Sequence, residues 1–302
     1  MLHPPEAASM EKVTKLFDCH SHWGTKRGYL FRTEAELAQQ EKIWKTKATF
    51  WSEDEMADYF RQNNVRTILD LSFTKFLPIE EIRAHHDYAF EFQRKHPDVV
   101  FGHWLQFDPR RALEAIREFD RALAAGAGFV GLCVNGQVLG IPPSDPCWDP
   151  LYQLAIEAGR PIMILTGLTG IGQGLPGGKG IVLDHGHPRH IDAVAARFPN
   201  LRILAARPAY PWQDDMLAVL AHKPNVHYEL HGWGPRQYSP ALKKAIAGRL
   251  ADRVMFGCDF PVLRYEKVMA DWNAEEYSRE VLEKVLYRNA EAYFAAEQGG
   301  NR

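Results

Sequence analysis

Cysteine is scarce: Cys19, Cys133, Cys147 and Cys258 lie scattered through 302 residues and form no Cys-x-x-Cys pair. That distribution argues against a disulfide framework and suits a reducing compartment, so the expected location is the cytoplasm. An excess of either charge is missing too, with 36 Lys and Arg against 38 Asp and Glu and a net charge of −2. Without a basic field, nucleic acid and anionic lipid are not expected as partners. No stretch of about eighteen apolar residues occurs, and the N-terminal MLHPPEAASMEKVTK has no apolar core of a secretion signal, so no membrane segment is expected. No Gly-x-Gly-x-x-Gly follows an early strand and no P-loop is present, which argues against a nucleotide cofactor. Repeats of solenoid period and low-complexity tracts are absent as well. What remains is an ordinary globular protein whose default partner is a small-molecule substrate.

Apolar residues, by contrast, make up 46% of the chain, enough for a large core. The length suits either two domains of about 150 residues or one α/β barrel of roughly 250. Short runs rich in Val, Ile, Leu and Phe decide between them: Leu16 to Cys19, Thr67 to Leu71, Val99 to His103, Phe129 to Val134, Ile162 to Leu165, Ile203 to Ala206, Val226 to Leu230 and Val254 to Phe256. Between them EDEMADYFRQ, IEEIRAHHDYAFEFQRK, RRALEAIREFDRALAA, WDPLYQLAIEA, PRHIDAVAARF, QDDMLAVLAH and SPALKKAIAGRL each carry one apolar stripe at helical spacing. About eight strands, apolar on both faces and alternating with helices, make a parallel sheet closed into a (β/α)8 barrel. The expected architecture is α/β, a single-domain TIM barrel over 16–298, with a lead at 1–15, a long insert at 23–51 and a tail at 299–302. The insert, the glycine-rich Thr166 to Gly180 and the segment His231 to Tyr238 all follow strands, which places them on the catalytic face.

Chemistry concentrates at two strand ends. Asp18-Cys19-His20-Ser21-His22 closes the first strand, and side chains two apart on a strand point the same way, so His20 and His22 both project into the barrel mouth. Phe256-Gly257-Cys258-Asp259-Phe260-Pro261 closes the last strand, with Pro261 stopping the ladder. First and last strands are neighbours in a closed barrel, so Asp259 can meet the histidine pair. By the same alternation Cys19 and Cys258 turn into the layer behind and serve as core.

The FDCHSH start, the late DRVMFGCDFP followed by VLEKVLYRNAEAYF, and the central PRHIDAVAARFPNLRIL resemble the amidohydrolase superfamily, in the branch containing aminocarboxymuconate-semialdehyde decarboxylase and resorcylate decarboxylase. The resemblance runs from about Phe17 to Phe294. It implies a distorted (β/α)8 barrel, a homodimer, and one divalent metal, zinc or manganese, held by the His-x-His pair, a fifth-strand histidine and the late aspartate. His20, His22 and Asp259 match that pattern and are the expected ligands. Two positions depart from it: where the family carries a histidine in an HTG-like turn after the fifth strand this chain has Leu165-Thr166-Gly167, and where it carries a catalytic histidine in an AHP-like turn after the sixth this chain has Ala206-Arg207-Pro208. Two arrangements therefore stay open. His20, His22 and Asp259 hold a metal as a face with open positions, or Asp259 acts as general base on water with no metal, while Arg207 grips a substrate carboxylate or a developing oxyanion. The second is similar to the strategy of the superfamily's pyrone-dicarboxylate lactonases, which hydrolyse without a divalent metal.

The expected activity is hydrolysis of a C–C, lactone or amide-type bond in a small cyclic or aromatic-derived carboxylate, carried by Asp259, His20, His22 and Arg207. Metal-dependent, non-oxidative decarboxylation of an aromatic or muconate-type acid is one alternative, and a catalytically silent barrel that binds a ligand or partner subunit is another. Substrate-binding candidates are Lys26, Arg27 and Tyr29 after the His-x-His pair, His103 and Trp104 at the third strand's end, Thr166, Trp212, and His231 with Trp233 after the seventh strand. The competing assignment for the basic pair is a solvated face, and for the rings, core packing. His185, His187 and His190 read either as a substitute ligand cluster or, more commonly, as polar groups at a helix start. The Gly167 to Gly180 stretch lacks the spacing of a phosphate loop and reads as a lid.

Overall fold

The structure, a computed structural model, describes residues 13–45, 47–126 and 128–295. Most of the 1–15 lead and the whole 299–302 tail lie outside these residues. Each apolar run becomes a strand: β1 (Leu16–His22), β2 (Val65–Asp70), β3 (Val100–Leu105), β4 (Phe129–Val134), β5 (Ile162–Leu165), β6 (Ile203–Ala206), β7 (Val226–Glu229) and β8 (Val254–Met255). The strands pair in sequence order, every neighbouring pair parallel. Closure uses the chain just past β8: Cys19 N–H donates to the Phe256 carbonyl at 3.0 Å and Asp259 N–H to that of His20 at 3.1 Å. The molecule is a single-domain (β/α)8 barrel, and its seam sets Asp259 beside the histidine pair.

Helices follow the strands around the outside. The 23–51 insert contains α1 (Glu34–Trp44), whose only buried residue is Gln40, so the sequence offers no apolar stripe by which to find it. Thr33 and Glu36 start it with a reciprocal capping box, and Ser52 with Glu55 does the same for α2 (Glu53–Gln62). Next come α3 (Ile79–Lys95), α4 (Ala112–Ala124), the short α5 (Gly136–Leu139), α6 (Asp149–Glu157), α7 (Pro188–Arg197), α8 (Gln213–His222), α9 (Pro240–Ile246) and α10 (Tyr265–Asn273). The chain then runs through α11 (Arg279–Glu283), a π-helical turn (Lys284–Arg288) and α12 (Asn289–Tyr293).

Two apolar layers hold the barrel. Outside, Leu69, Val100, Ile164 and Tyr228 of the strands pack with Phe60, Phe90, Val194 and Leu220 of the helices, each such side chain contributing about 1.5–3 kcal/mol on burial. Inside, Phe17, Ile68, Phe101, Val130, Met163, Leu204 and Met255 come from every strand except β7, and Phe294 closes the base by stacking on Phe17 at 5.8 Å. β1 carries a bulge, with Asp18 paired to Thr67 but Ser21 to Leu69. This changes one expectation. Alternation predicts Cys19 in the layer behind, whereas it packs inside the barrel with Phe17 and Met255, directly below histidines that also face inward. Cys258 lies in the outer layer, as alternation predicts.

Candidate active site

The mouth of the barrel holds a cavity of about 980 Å³ whose floor is lined by His22, Asp70, Lys75, Gln106, Arg207 and Asp259. Buried behind it, His20 is the centre of the polar contacts. Its Nε2 lies 3.0 Å from Asp70 Oδ2, which also accepts from Gln106 Nε2 at 2.6 Å. Its ring stacks on His231 at 3.9 Å and meets His22 edge-on at 4.8 Å. Asp259 Oδ1 sits 3.2 Å from His22 Nε2 and 3.9 Å from His20 Nδ1. Arg207 Nε donates to His231 Nε2 at 3.2 Å, so the imidazole proton belongs on Nδ1, which contacts Glu229 Oε2 at 2.5 Å.

The scaffold explains this placement. Asp18, fully buried, accepts from His20 N–H at 3.1 Å and Cys258 N–H at 3.0 Å, and from the hydroxyls of Ser21 at 2.5 Å, Thr67 at 3.2 Å and Tyr265 at 2.6 Å. One carboxyl thus clamps β1 to β2, to the segment after β8 and to α10. Gly257 leaves room for Glu229, since a Cβ there would lie 1.6 Å from Glu229 Oε1. Arg207 and Asp259 both adopt left-handed backbone, with φ of 74° and 73°, a conformation that costs non-glycine residues about 1–3 kcal/mol and clusters at functional sites.

Burial and neighbouring charge set the protonation states. Burial raises the Asp259 carboxyl, but the His22 contact and the charges of His20 and Arg207 outweigh it and hold its pKa below the usual value. Asp70 is likewise lowered against burial, by His20, His22 and Lys75. For His22 burial opposes the charged ring, yet Asp259 and Asp70 bring its pKa above the ordinary imidazole. Burial, reinforced by Asp18 and Asp259, pushes Glu229 well up, and burial with the His20 and Arg207 charges pushes His231 well down. Burial takes Lys75 down to about 8. The floor therefore sets the carboxyls of Asp70 and Asp259, both held below their usual value, against Arg207, Lys75 and a His22 ring whose charged form Asp259 and Asp70 favour.

Residues 17–295 match the family described as Amidohydrolase. The chain belongs to the amidohydrolase family. No curated protein sequence matches it. Solved structures share the fold: an uncharacterized TIM-barrel protein from Bordetella bronchiseptica is 18% identical with a TM-score of 0.73, over 93% of this chain and 98% of its own. The 2,6-dihydroxybenzoate decarboxylase from Rhizobium is 17% identical with a TM-score of 0.67, over 94% and 100%. A 5-carboxyvanillate decarboxylase from Novosphingobium aromaticivorans, complexed with manganese, is 15% identical with a TM-score of 0.67, over 93% and 96%.

The structure brings His20, His22, Arg207, Asp259 and His231 together, and Trp233 lines the cavity wall. The remaining candidates lie elsewhere. Lys26 is exposed, Arg27 sits over the Tyr88 ring at 4.1 Å, and buried Tyr29 donates to Gln40 at 3.0 Å. His103 turns behind β3 onto Gly128 O and the Trp23 ring, because β3 shifts register between His103 and Trp104. Trp104 fills the barrel interior, donating to Cys19 O at 2.8 Å. Thr166 is buried at the end of β5, and Trp212 packs on His187. His187 caps α7 and His190 bonds Ser144 at 2.8 Å, the helix-start role. The glycine-rich segment leans on α1, where Gln39 donates to Gln173 O at 2.9 Å. Sequence reading missed Asp18, Asp70, Lys75, Gln106 and Glu229; the available signal was an acid ending each of the apolar runs TILDL and VHYEL near its last residue.

Metal donors exist among the described residues: His20, His22 and Asp70 form one group within 4.8 Å, and His20, His231 and Asp259 another. Of these, His231 Nε2 already accepts from Arg207 and His20 Nε2 is engaged by Asp70. His20 Nδ1, His22 Nδ1 and Asp70 Oδ1 are buried without a hydrogen-bond partner, and Asp259 Oδ1 is engaged by His22 Nε2 at 3.2 Å.

Proposed function

We propose that this amidohydrolase hydrolyses a cyclic or aromatic-derived carboxylate with Asp259 as general base and Arg207 as anion anchor, and that it does so without a metal. The observation that carries this reading is the Asp259 carboxylate, which lines the cavity together with Arg207 and keeps 16% of its side chain exposed while His22 Nε2 holds its Oδ1 at 3.2 Å. A water donating to this carboxylate is oriented for attack on a substrate carbonyl above it. As the new C–O bond forms, the water's proton passes to Asp259 and the carbonyl electron pair moves to oxygen, where the Arg207 guanidinium stabilises it. Collapse expels the leaving group, which takes the proton back from Asp259. Asp70 supports the arrangement by holding His20 Nε2 at 3.0 Å, which keeps the His20 ring 3.9 Å behind Asp259.

A divalent ion, which family membership implies, would share this floor with two cations. At an effective dielectric near 20, unit charges 4 Å apart interact by roughly 4 kcal/mol, and a dication doubles the repulsion. Arg207 donates to His231 and Lys75 to the Ser72 carbonyl, and both line the cavity, where their charges lower the Asp259 and Asp70 carboxyls, oppose a dication and attract an incoming anion. Decarboxylation is the second reading, favoured by the decarboxylases among the structural neighbours.

The test is turnover of a panel of aryl lactones and phenolic acids, with released CO2 scored against hydrolysed product. Asp259→Asn is expected to lower kcat by about 10²–10⁴-fold while near-UV circular dichroism is unchanged. Retained turnover in that variant overturns the assignment of Asp259, and CO2 without hydrolysed product overturns hydrolysis.

A further inference from the structure

We infer that the substrate is an amphipathic anion, an acid or enolate head on an apolar body larger than one aromatic ring, with the body held between α1 and the glycine-rich segment 167–180. This rests on the anion-binding floor proposed above and specifies the other end of the ligand. The cavity of about 980 Å³ stands at the top of the range of about 300–1,000 Å³ that encloses a drug-sized ligand. At roughly 30 Å³ for each water it equals about thirty waters, and a one-ring acid of about a dozen heavy atoms fills less than half of it.

Polarity is segregated by depth. Charged groups occupy the floor, whereas the upper walls are Phe31 and Trp44 of the insert, Phe76 after β2, Leu168 and Ile171 of the glycine-rich segment, and Trp233 after β7. Phe31 packs on Trp44 at 5.3 Å and Trp233 on Tyr210 at 5.4 Å, giving two aromatic walls. The Phe76 ring stands 59% exposed in the mouth, where a ligand body would cover it. Apolar space continues outward through a second cavity of about 240 Å³ between α1 and the glycine-rich segment, which shares Phe31, Trp44 and Ile171 with the first. At the rim Arg32, Lys179, Arg264 and Lys267 stand against Glu36, a cationic entrance that draws an anionic ligand inward.

The experiment is titration of the full chain with benzoate, 4-ethylbenzoate and 4-butylbenzoate, read by calorimetry and by the fluorescence of the wall tryptophans. Affinity is expected to rise roughly fourfold for each added methylene. Phe31→Ala and Ile171→Ala are expected to reduce that increment without changing benzoate affinity, and Arg207→Gln to weaken every member by a similar factor. A series that is flat or falls with tail length, a rise that survives both wall variants, or no saturable binding by any member at millimolar concentration overturns the inference. If the series is flat but benzoate binding still depends on Arg207, the anion-binding reading stands and only the apolar body is lost. If the series rises with no dependence on Arg207, it is the anionic head, and with it the proposed function, that falls.

Discussion

Lys75 is a lysine that only tertiary structure could place. Its side chain is buried, its ammonium donates to the Ser72 carbonyl, and burial takes its pKa down to about 8 despite the Asp70 charge. Below that pH it is a cation on the cavity floor; above it the charge is lost. Affinity for a benzoate-type anion is therefore expected to fall as pH rises through about 8, and Lys75→Met to lower affinity by about tenfold at neutral pH, the effect of roughly 1.4 kcal/mol, and flatten that limb. A wild-type pH profile identical to that of Lys75→Met removes Lys75 from anion binding. Sequence alone made Asp259 legible, because Phe-Gly-Cys-Asp-Phe-Pro interrupts an apolar run with an acid and a strand stop. The turn Ser-Phe-Thr-Lys-Phe that carries Lys75 has no such punctuation, and nothing short of tertiary structure says that its lysine turns inward.

Between elements, the best defined ionic link among the described residues joins α3 to α4. Glu118, buried on α4, contacts His86 Nδ1 at 2.7 Å and Arg83 Nε at 3.3 Å on α3, and Arg121 Nε at 2.8 Å one turn on. Burial raises its carboxyl, but Arg121 and His86 outweigh burial and bring it from 4.5 to about 2. A folded pKa below the unfolded one adds stability that is complete above the unfolded value and is lost as pH falls from about 4.5 towards 2. Glu118→Gln is expected to cost about 2 kcal/mol at pH 7, the scale of a hydrogen bond to a charged group, and urea midpoints should show the gap closing below pH 4.5. A gap that is independent of pH removes the charge as its cause. At this scale the sequence was most readable: β4, β5 and β6, and α2, α3 and α8, have the bounds that pattern alone assigns. It was least readable where backbone pairing, not side-chain pattern, decides, as at the β1 bulge and the β3 shift that turns His103 away from the mouth. α1 escaped for a different reason, since its contacts are with a loop and not with the core.

For the whole molecule the deciding quantity is the charge enclosed by the barrel mouth. Asp70 and Asp259 share the cavity with Arg207 and Lys75, whose charges lower both carboxyls and repel an added cation, and Asp18 with its five donors closes the barrel seam. A metal bound only to the native state at a hundred times its Kd would stabilise that state by about 2.7 kcal/mol. For a domain of this size each kcal/mol moves Tm by about 2 °C, so removing such an ion would lower Tm by roughly 5 °C. Dialysis against a strong chelator is therefore expected to leave both Tm and turnover unchanged, with manganese or zinc restoring nothing. The converse experiment puts donors where this chain has none. Leu165→His with Arg207→His removes one cation and adds two imidazoles at the ends of β5 and β6, both at positions that line the cavity, and calorimetry should then detect manganese or zinc binding that the wild type does not show. A Tm that falls on chelation and recovers with metal would overturn the metal-free reading, and would mean that His20, His22 and the floor carboxylates outweigh the repulsion from Arg207 and Lys75.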